Sequence, residues 1–409
     1  MSETDRPESP EAPLPRALWL LSGVSLLADI SGEMIYPLMP LFLVGVLHAS
    51  KTSVGAIEGS AVLIVAVMSA VAGFTSDRIG RRVPWIRVGY GLPVLGKAII
   101  ALATGWQGVL AGRLLDRFGK GLRGAPRDAL IASVVPKEQR GRAFGVHRAF
   151  DTAGALIGVL LAAGILWTLT GTPVAGGTSE SPAWVYRAAF GVASALGLGS
   201  FALTLAVEEA PHVALPAKPV QAGIRGLPRA YWAVLAMLIV FSLANSSDMF
   251  LLLRAADLGL SSWAVVLSYA LYNAVYASAS YQAGKVSDRY GRWGVIAMGW
   301  AIYAVVYAGF AVTPPIGVWP LMAAYGLYMA LTDGVGKALL ADHVPAERRG
   351  AAMGLFYAAT GGTTLLSSLA AGLVWDHLAP PAAFALGSGF AVLALAVLGV
   401  AYVTSKPPA

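Results

Sequence analysis

Apolar runs of twenty residues or more alternate with short polar segments along almost the whole chain. A helix needs about 20 apolar residues to cross the hydrocarbon of a bilayer. The alternation predicts about twelve spans, over residues 17–47, 53–75, 84–104, 106–132, 142–170, 184–206, 230–255, 262–284, 293–313, 316–342, 350–375 and 380–403. Residues 1–16 are acidic and Pro-rich and lack the basic start and short apolar core of a secretion signal, so a disordered tail is expected there. Residues 207–229 are Pro-rich with little periodicity and read as a linker, and 404–409 form a second tail. The expected organisation is thus a six-helix bundle over 17–206 and another over 230–403.

An internal repeat supports the two halves. Gly73-Phe-Thr-Ser-Asp77-Arg78-Ile-Gly80-Arg81 matches Gly284-Lys-Val-Ser-Asp288-Arg289-Tyr-Gly291-Arg292, an offset of 284 − 73 = 211. Val135-Pro136 with Arg140-Gly141 matches Val344-Pro345 with Arg349-Gly350, an offset of 344 − 135 = 209. Two motifs at nearly one offset mark duplicated halves, a pattern found in many transporters.

Composition agrees with a membrane chain and narrows its chemistry. Apolar residues make up 57% and charged residues 12%, against about 25% charged in soluble domains. The net charge of +7 does not point to nucleic acid. The cations recur in alternate loops instead of forming one patch, with Arg78, Arg81, Arg82, Lys137, Arg140, Arg225, Arg289, Arg292 and Arg348 on one side and few on the other. Basic loops stay inside, so both termini are expected in the cytoplasm, at a bacterial-type inner membrane. The chain has no cysteine, which excludes disulfides and thiolate metal sites. No phosphate-binding G-x-x-x-x-G-K-[ST] loop and no dense metal-ligand cluster occur. No cofactor, no metal and no enzymatic activity are expected.

The repeated loop motif carries its own chemistry. Gly73 allows two helix backbones to approach, Gly80 permits a tight turn, and Asp77 can accept hydrogen bonds from a helix N-terminus and from arginines. Such a cluster can latch one half to the other. The motif, the span count and the half-repeat resemble the major facilitator superfamily, in its bacterial, twelve-helix form, over nearly the whole chain. The resemblance implies an all-α membrane protein of the major facilitator fold, with two six-helix bundles around a central cavity lined by spans 1, 4, 7 and 10. It also implies gating roles for Gly73, Asp77, Arg78, Gly80, Arg81, Gly284, Asp288, Arg289, Gly291 and Arg292. Span 4 is distantly similar to the proton-coupled drug antiporters of that superfamily. Arg113 and Gly119 match their motif there, while Asp116 and Arg117 replace its glutamine and first glycine.

Ionisable residues inside spans are expensive and usually face a bundle interior or a watery cavity. Here they gather on the four spans that the resemblance assigns to the cavity. Asp29 and Glu33 lie one turn apart on span 1 and share a helix face. With Asp116 they are candidates for proton coupling, or alternatively a structural pair satisfied by span 4 arginines. Arg113, Arg117, Lys120, Arg123 or Gly124, and Arg127 follow a helical spacing that makes a cationic stripe on span 4, awaiting either internal acids or an anionic or zwitterionic solute. Arg113, Arg117, Lys120, Tyr36, Asp248, Asp333 and Lys337 are the candidate substrate-binding residues, although Asp333 and Lys337 are also placed to pair with each other. Glu58 and Lys97 are isolated charges whose partners the sequence does not fix. His147 and Asp151, one turn apart, form either a proton relay or a plain pair.

The expected function is secondary active transport by alternating access, with proton-coupled efflux of a small organic solute. Uptake or exchange of an anionic solute, and export of a metal or metal chelate, are the alternatives. A non-transporting membrane receptor is the alternative of a different class. The expected partners are a small-molecule substrate, protons and the lipid bilayer, without nucleic acid, and the chain is expected to be a monomer.

Overall fold

A computed structural model describes residues 13–136, 139–170, 181–209, 226–345 and 348–405. The remainder, including most of the expected tail over 1–16 and of the linker over 207–229, lies outside the described residues. Every long element among the described residues is a helix. The first crossing is segmented: α1 (Arg16–Ile35), a short α2 (Leu38–Leu41) and a π-helical turn, Phe42–Val46. Pro37 at the start of α2 and Pro40 within it have no N–H to continue the helical ladder. The first bundle continues with α3 (Lys51–Ile79), α4 (Val83–Leu102), α5 (Trp106–Val134), α6 (Arg140–Thr170) and α7 (Ala183–Thr204). The second holds α8 (Arg229–Ala244), α9 (Met249–Asp257), α10 (Ser262–Tyr290), α11 (Arg292–Val312), α12 (Val318–Asp342), α13 (Arg349–His377) and α14 (Pro380–Ser405).

The crossings fall at the expected places, but two expected as continuous are interrupted, the first being span 1. The run expected as a continuous span over 230–255 is broken between α8 and α9 at Asn245–Asp248. The freed backbone groups find partners on distant helices. Tyr303 donates to the Ala244 carbonyl at 2.7 Å, Ser367 donates to the Asn245 carbonyl at 3.1 Å, and the Ser247 amide donates to Ser368 at 3.1 Å. A broken helix survives at membrane depth only where neighbours satisfy it in this way.

Eight helical stretches are long and apolar enough to span a membrane on composition alone. The four other crossings, α5, α10, α12 and α13, carry the charges, tyrosines, serines and threonines of the interior. Neighbour relations repeat between bundles: α3 and α4 both pack on α5 as α10 and α11 both pack on α12, and α4 packs on α7 as α11 packs on α14. An even number of crossings puts Arg16, at the start of α1, and Ser405, at the end of α14, at one face of the membrane, here the terminal face.

At the opposite, far face the bundles meet along α3 and α13. A Cβ at Gly55 would overlap the Ser368 carbonyl, and one at Gly59 would lie 2.7 Å from the Leu365 Cα. Asp376, near the end of α13, accepts from the Lys51 and Thr52 amides at 3.0 and 2.8 Å and from the Thr52 hydroxyl at 2.7 Å. A carboxylate of one bundle thereby caps the N-terminus of a helix in the other, where free amides and the helix dipole favour an anion. Trp167 stacked on Trp263 at 6.0 Å and Tyr186 bonded to Ser262 at 3.1 Å close the same face.

Candidate functional site

Between the bundles lies a cavity of about 830 Å³. Its walls come from α1, α3, α5 and α6 on one side and from α10 and α12 on the other. Its lining runs from Asp29 and Glu33, midway along the first crossing, to Gly284, Ser287 and Asp288 near the terminal end of α10. The cavity therefore reaches the terminal face while the far face is sealed. Spans 1, 4 and 10 line it as expected. Span 7 contributes no lining residue, and α6 and α10 take its place. The break between α8 and α9 directs Asp248 into the second bundle, where it accepts from Tyr325 at 2.7 Å.

The candidate residues separate into two layers. Asp29, Glu33, Lys120 and Asp333 line the cavity. Glu33 accepts a long hydrogen bond from Tyr269 of the other bundle, 3.5 Å. Asp333 is bonded to Lys337 at 2.6 Å and to Tyr276 at 3.1 Å, the within-helix pair that the spacing allows.

Arg113, Asp116, Arg117 and Tyr36 lie outside the cavity lining. Arg113, only 2% exposed, grips Glu58 with two nitrogens at 2.8–2.9 Å. It also lies 3.6 Å from Asp116, which faces Arg117 at 3.4 Å and Lys97 at 3.9 Å. Lys97 completes its shell by donating to Ser31 at 2.6 Å. Internal acids thus neutralise the deep part of the span 4 stripe. Tyr36 sits beneath the Arg113 guanidinium, 5.4 Å from ring centre to carbon, and against Tyr269 at 5.5 Å.

Two contributors escaped sequence reading. Arg148 of α6 lines the cavity, though its sequence position beside His147 gives no sign of depth. Asp376 shows itself only through its partners across the far face. The His147 and Asp151 side chains lie 3.8 Å apart, beyond hydrogen-bond reach, and His147 bonds to Ser22 at 3.2 Å.

The loop-motif residues gather at the terminal face. Gly80 and Gly291 hold positive φ angles of 71° and 92°, where a side chain would be strained, and each ends a helix. Gly73 faces Ala125 at ordinary contact distance, whereas a Cβ at Gly284 would meet nothing within 4 Å. Arg292 pairs with Asp342 at 2.8 Å and reaches Asp288 at 3.9 Å. Arg289 lies over Tyr290, while Arg78 and Arg81 are exposed. The side chain of Asp77 lies outside the described structure.

Two helical bundles of like topology, a charged cavity between them and a seal at one face define a membrane transporter fold. The sequence profile of the Major Facilitator Superfamily matches residues 21–335. An MFS-type transporter of Methanocaldococcus jannaschii is 32% identical over 387 residues, covering 93% of each chain. The multidrug resistance protein MdtH of Photorhabdus laumondii is 31% identical over 142 residues, 35% of each chain. A point mutant of the nucleoside transporter NupG superposes with a TM-score of 0.77 at 16% identity, over 95% of this chain and 100% of that one, a likeness of fold. The chain belongs to the Major Facilitator Superfamily. It is a multi-pass membrane transporter of a small molecule, and not an enzyme.

Proposed function

We propose that the chain is a proton-coupled secondary transporter that exports a small organic solute by alternating access, with Asp29 and Glu33 as the proton carriers. One observation carries this reading. Both carboxylates line the cavity, share one face of α1, and have no cationic side chain within 4.0 Å among the described residues. Ionisable groups left so at membrane depth mark proton relays. Asp116, held by Lys97, Arg113 and Arg117, supports the pair from behind and binds no proton directly. The partial likeness to MdtH favours export.

The basic loops put the terminal face in the cytoplasm of a bacterial-type inner membrane. The cavity is then inward-open, and the loop motifs around Asp77 and Asp288 form the gate that closes when the bundles rock. The working unit is a monomer with bundles over 17–206 and 230–403.

The test uses proteoliposomes holding a pH-sensitive dye, an imposed proton gradient and a panel of organic cations, zwitterions and anions. Some solute is expected to drive proton flux that Asp29→Asn and Glu33→Gln abolish. Solute exchange without proton movement, unchanged in both variants, would make the carboxylates structural.

A further inference from the structure

Nine charged side chains line the cavity, and close neighbours account for several of them. Asp333 is held by Lys337 at 2.6 Å, and Arg127 by Asp128 at 3.0 Å. Asp288 lies 3.9 Å from Arg292, at the mouth. Arg123 lies over the Tyr90 ring at 4.1 Å, with no acid within 4.0 Å among the described residues, and Asp151 faces His147 at 3.8 Å, beyond hydrogen-bond reach. Two acids and two bases remain: Asp29 and Glu33 on α1, Lys120 on α5 and Arg148 on α6. None has an oppositely charged side chain within 4.0 Å among the described residues. Lys120 and Arg148 are exposed to the cavity, where Arg148 also meets the Tyr276 hydroxyl.

A membrane protein that buries a full ion network behind this wall has the means to pair such charges internally, as it pairs Arg113 with Glu58. Ionisable groups left without a charged partner at membrane depth mark the path of a solute or ion. Asp29, Glu33, Lys120 and Arg148 together carry no net charge. A solute of one sign would satisfy half of them and leave the other half opposed.

We propose that the transported solute is an organic zwitterion, its cationic group held by Asp29 and Glu33 and its carboxylate or phosphate by Lys120 and Arg148. The inference rests on the cavity being the solute path. It also gives the proton its place: a proton on Asp29 or Glu33 competes with the solute's cationic group, as antiport requires. The anionic group anchors the solute to the first bundle independently of that competition.

The experiment measures ligand-induced shifts in thermal unfolding of the full chain in detergent, titrated to give affinities. The probes are matched sets on short alkyl and phenyl frames: the amino acid, the amine alone and the carboxylate alone. Phosphoethanolamine separates phosphate from carboxylate recognition, and lysophosphatidylethanolamine separates a lipid headgroup from a free solute. A zwitterion is expected to bind about tenfold or more tighter than either single-charge analogue, the worth of one charge-assisted contact. Lys120→Gln and Arg148→Gln should lower its affinity to that of the amine, and Asp29→Asn with Glu33→Gln to that of the carboxylate. Arg229→Gln, an exposed position at the start of α8, should change nothing.

If an amine or a carboxylate binds as tightly as its zwitterion on every frame, or if no zwitterion binds, the proposal is overturned. Proton flux separates the two readings. A zwitterion that binds through Lys120 and Arg148 but moves no protons sinks the coupling scheme alone. An amine that drives protons as well as its zwitterion sinks only the present proposal.

Discussion

The two bundles share a topology and differ in what fills their interiors. In the first, Glu58, Lys97, Arg113, Asp116 and Arg117 form a buried ion network on α3, α4 and α5. In the second, the corresponding helices α10, α11 and α12 carry tyrosines. Glu58 has its repeat counterpart in Tyr269 (269 − 58 = 211), Lys97 in Tyr307 (307 − 97 = 210) and Asp116 in Tyr325 (325 − 116 = 209). Tyr303 stacks on Tyr307 at 4.1 Å and Phe241 on Trp300 at 4.4 Å. Where the first bundle has acids and bases the second has rings with one hydroxyl each, and tyrosine hydroxyls of the second bundle satisfy Ala244, Asp248, Asp333 and Glu33. A duplicated fold can therefore hold its helices together by charge pairing or by aromatic packing. Charge pairing fails abruptly when one partner is lost, whereas a ring cluster degrades gradually.

The largest test of that contrast removes one partner in the first bundle. Arg113→Met leaves Glu58 and Asp116 without their guanidinium and is expected to cost about 3–5 kcal/mol, read as a large fall in the thermal midpoint. Combining it with Glu58→Leu should recover most of the loss, because the pair then disappears together. If the single variant unfolds like wild type, the network adds nothing to stability.

Next in size is the junction between bundles. Asp376→Asn weakens a carboxylate cap worth about 1.5–3 kcal/mol and should shift the population towards a state open at the far face. The chain has no cysteine, so maleimide labelling of Ala256→Cys, at a small far-face pocket, reports that opening cleanly. Its labelling rate should rise in the Asp376→Asn background, and an unchanged rate would mean that the cap does not hold the seal.

The smallest effect belongs to the aromatic bundle. Tyr303→Phe removes one hydroxyl bond to the Ala244 carbonyl and should cost about 0.6 kcal/mol. A loss as large as that of Arg113→Met would erase the distinction between the bundles.

The crossings were legible because hydropathy reports burial in lipid directly, and the halves were legible because the loop motif repeats. The break between α8 and α9 was not. It contains no proline or glycine, and what stabilises it comes from Tyr303, Ser367 and Ser368, about sixty or more positions away. Span 4 announced that its cations needed partners, but helix rotation decides which acids they meet. Glu58 and Asp116 took Arg113, while Lys120 kept none within pairing distance. Arg148 carried no periodic signal, since its side chain matters only once α6 is turned towards α10 and α12.

The glycine seam has an electrical consequence. Where Gly55 and Gly59 meet Ser368 and Leu365, backbone lies against backbone with no room for a file of water. Protons cross membranes along such files, so under the proposed proton coupling the closed face would act as an insulator between turnovers. Gly55→Leu in proteoliposomes without solute should raise passive proton conductance, and unchanged conductance would place the insulation elsewhere on the far face. On this view the small residues of α3 and α13 set the membrane's resistance, and the charged wall of the cavity sets what passes through it.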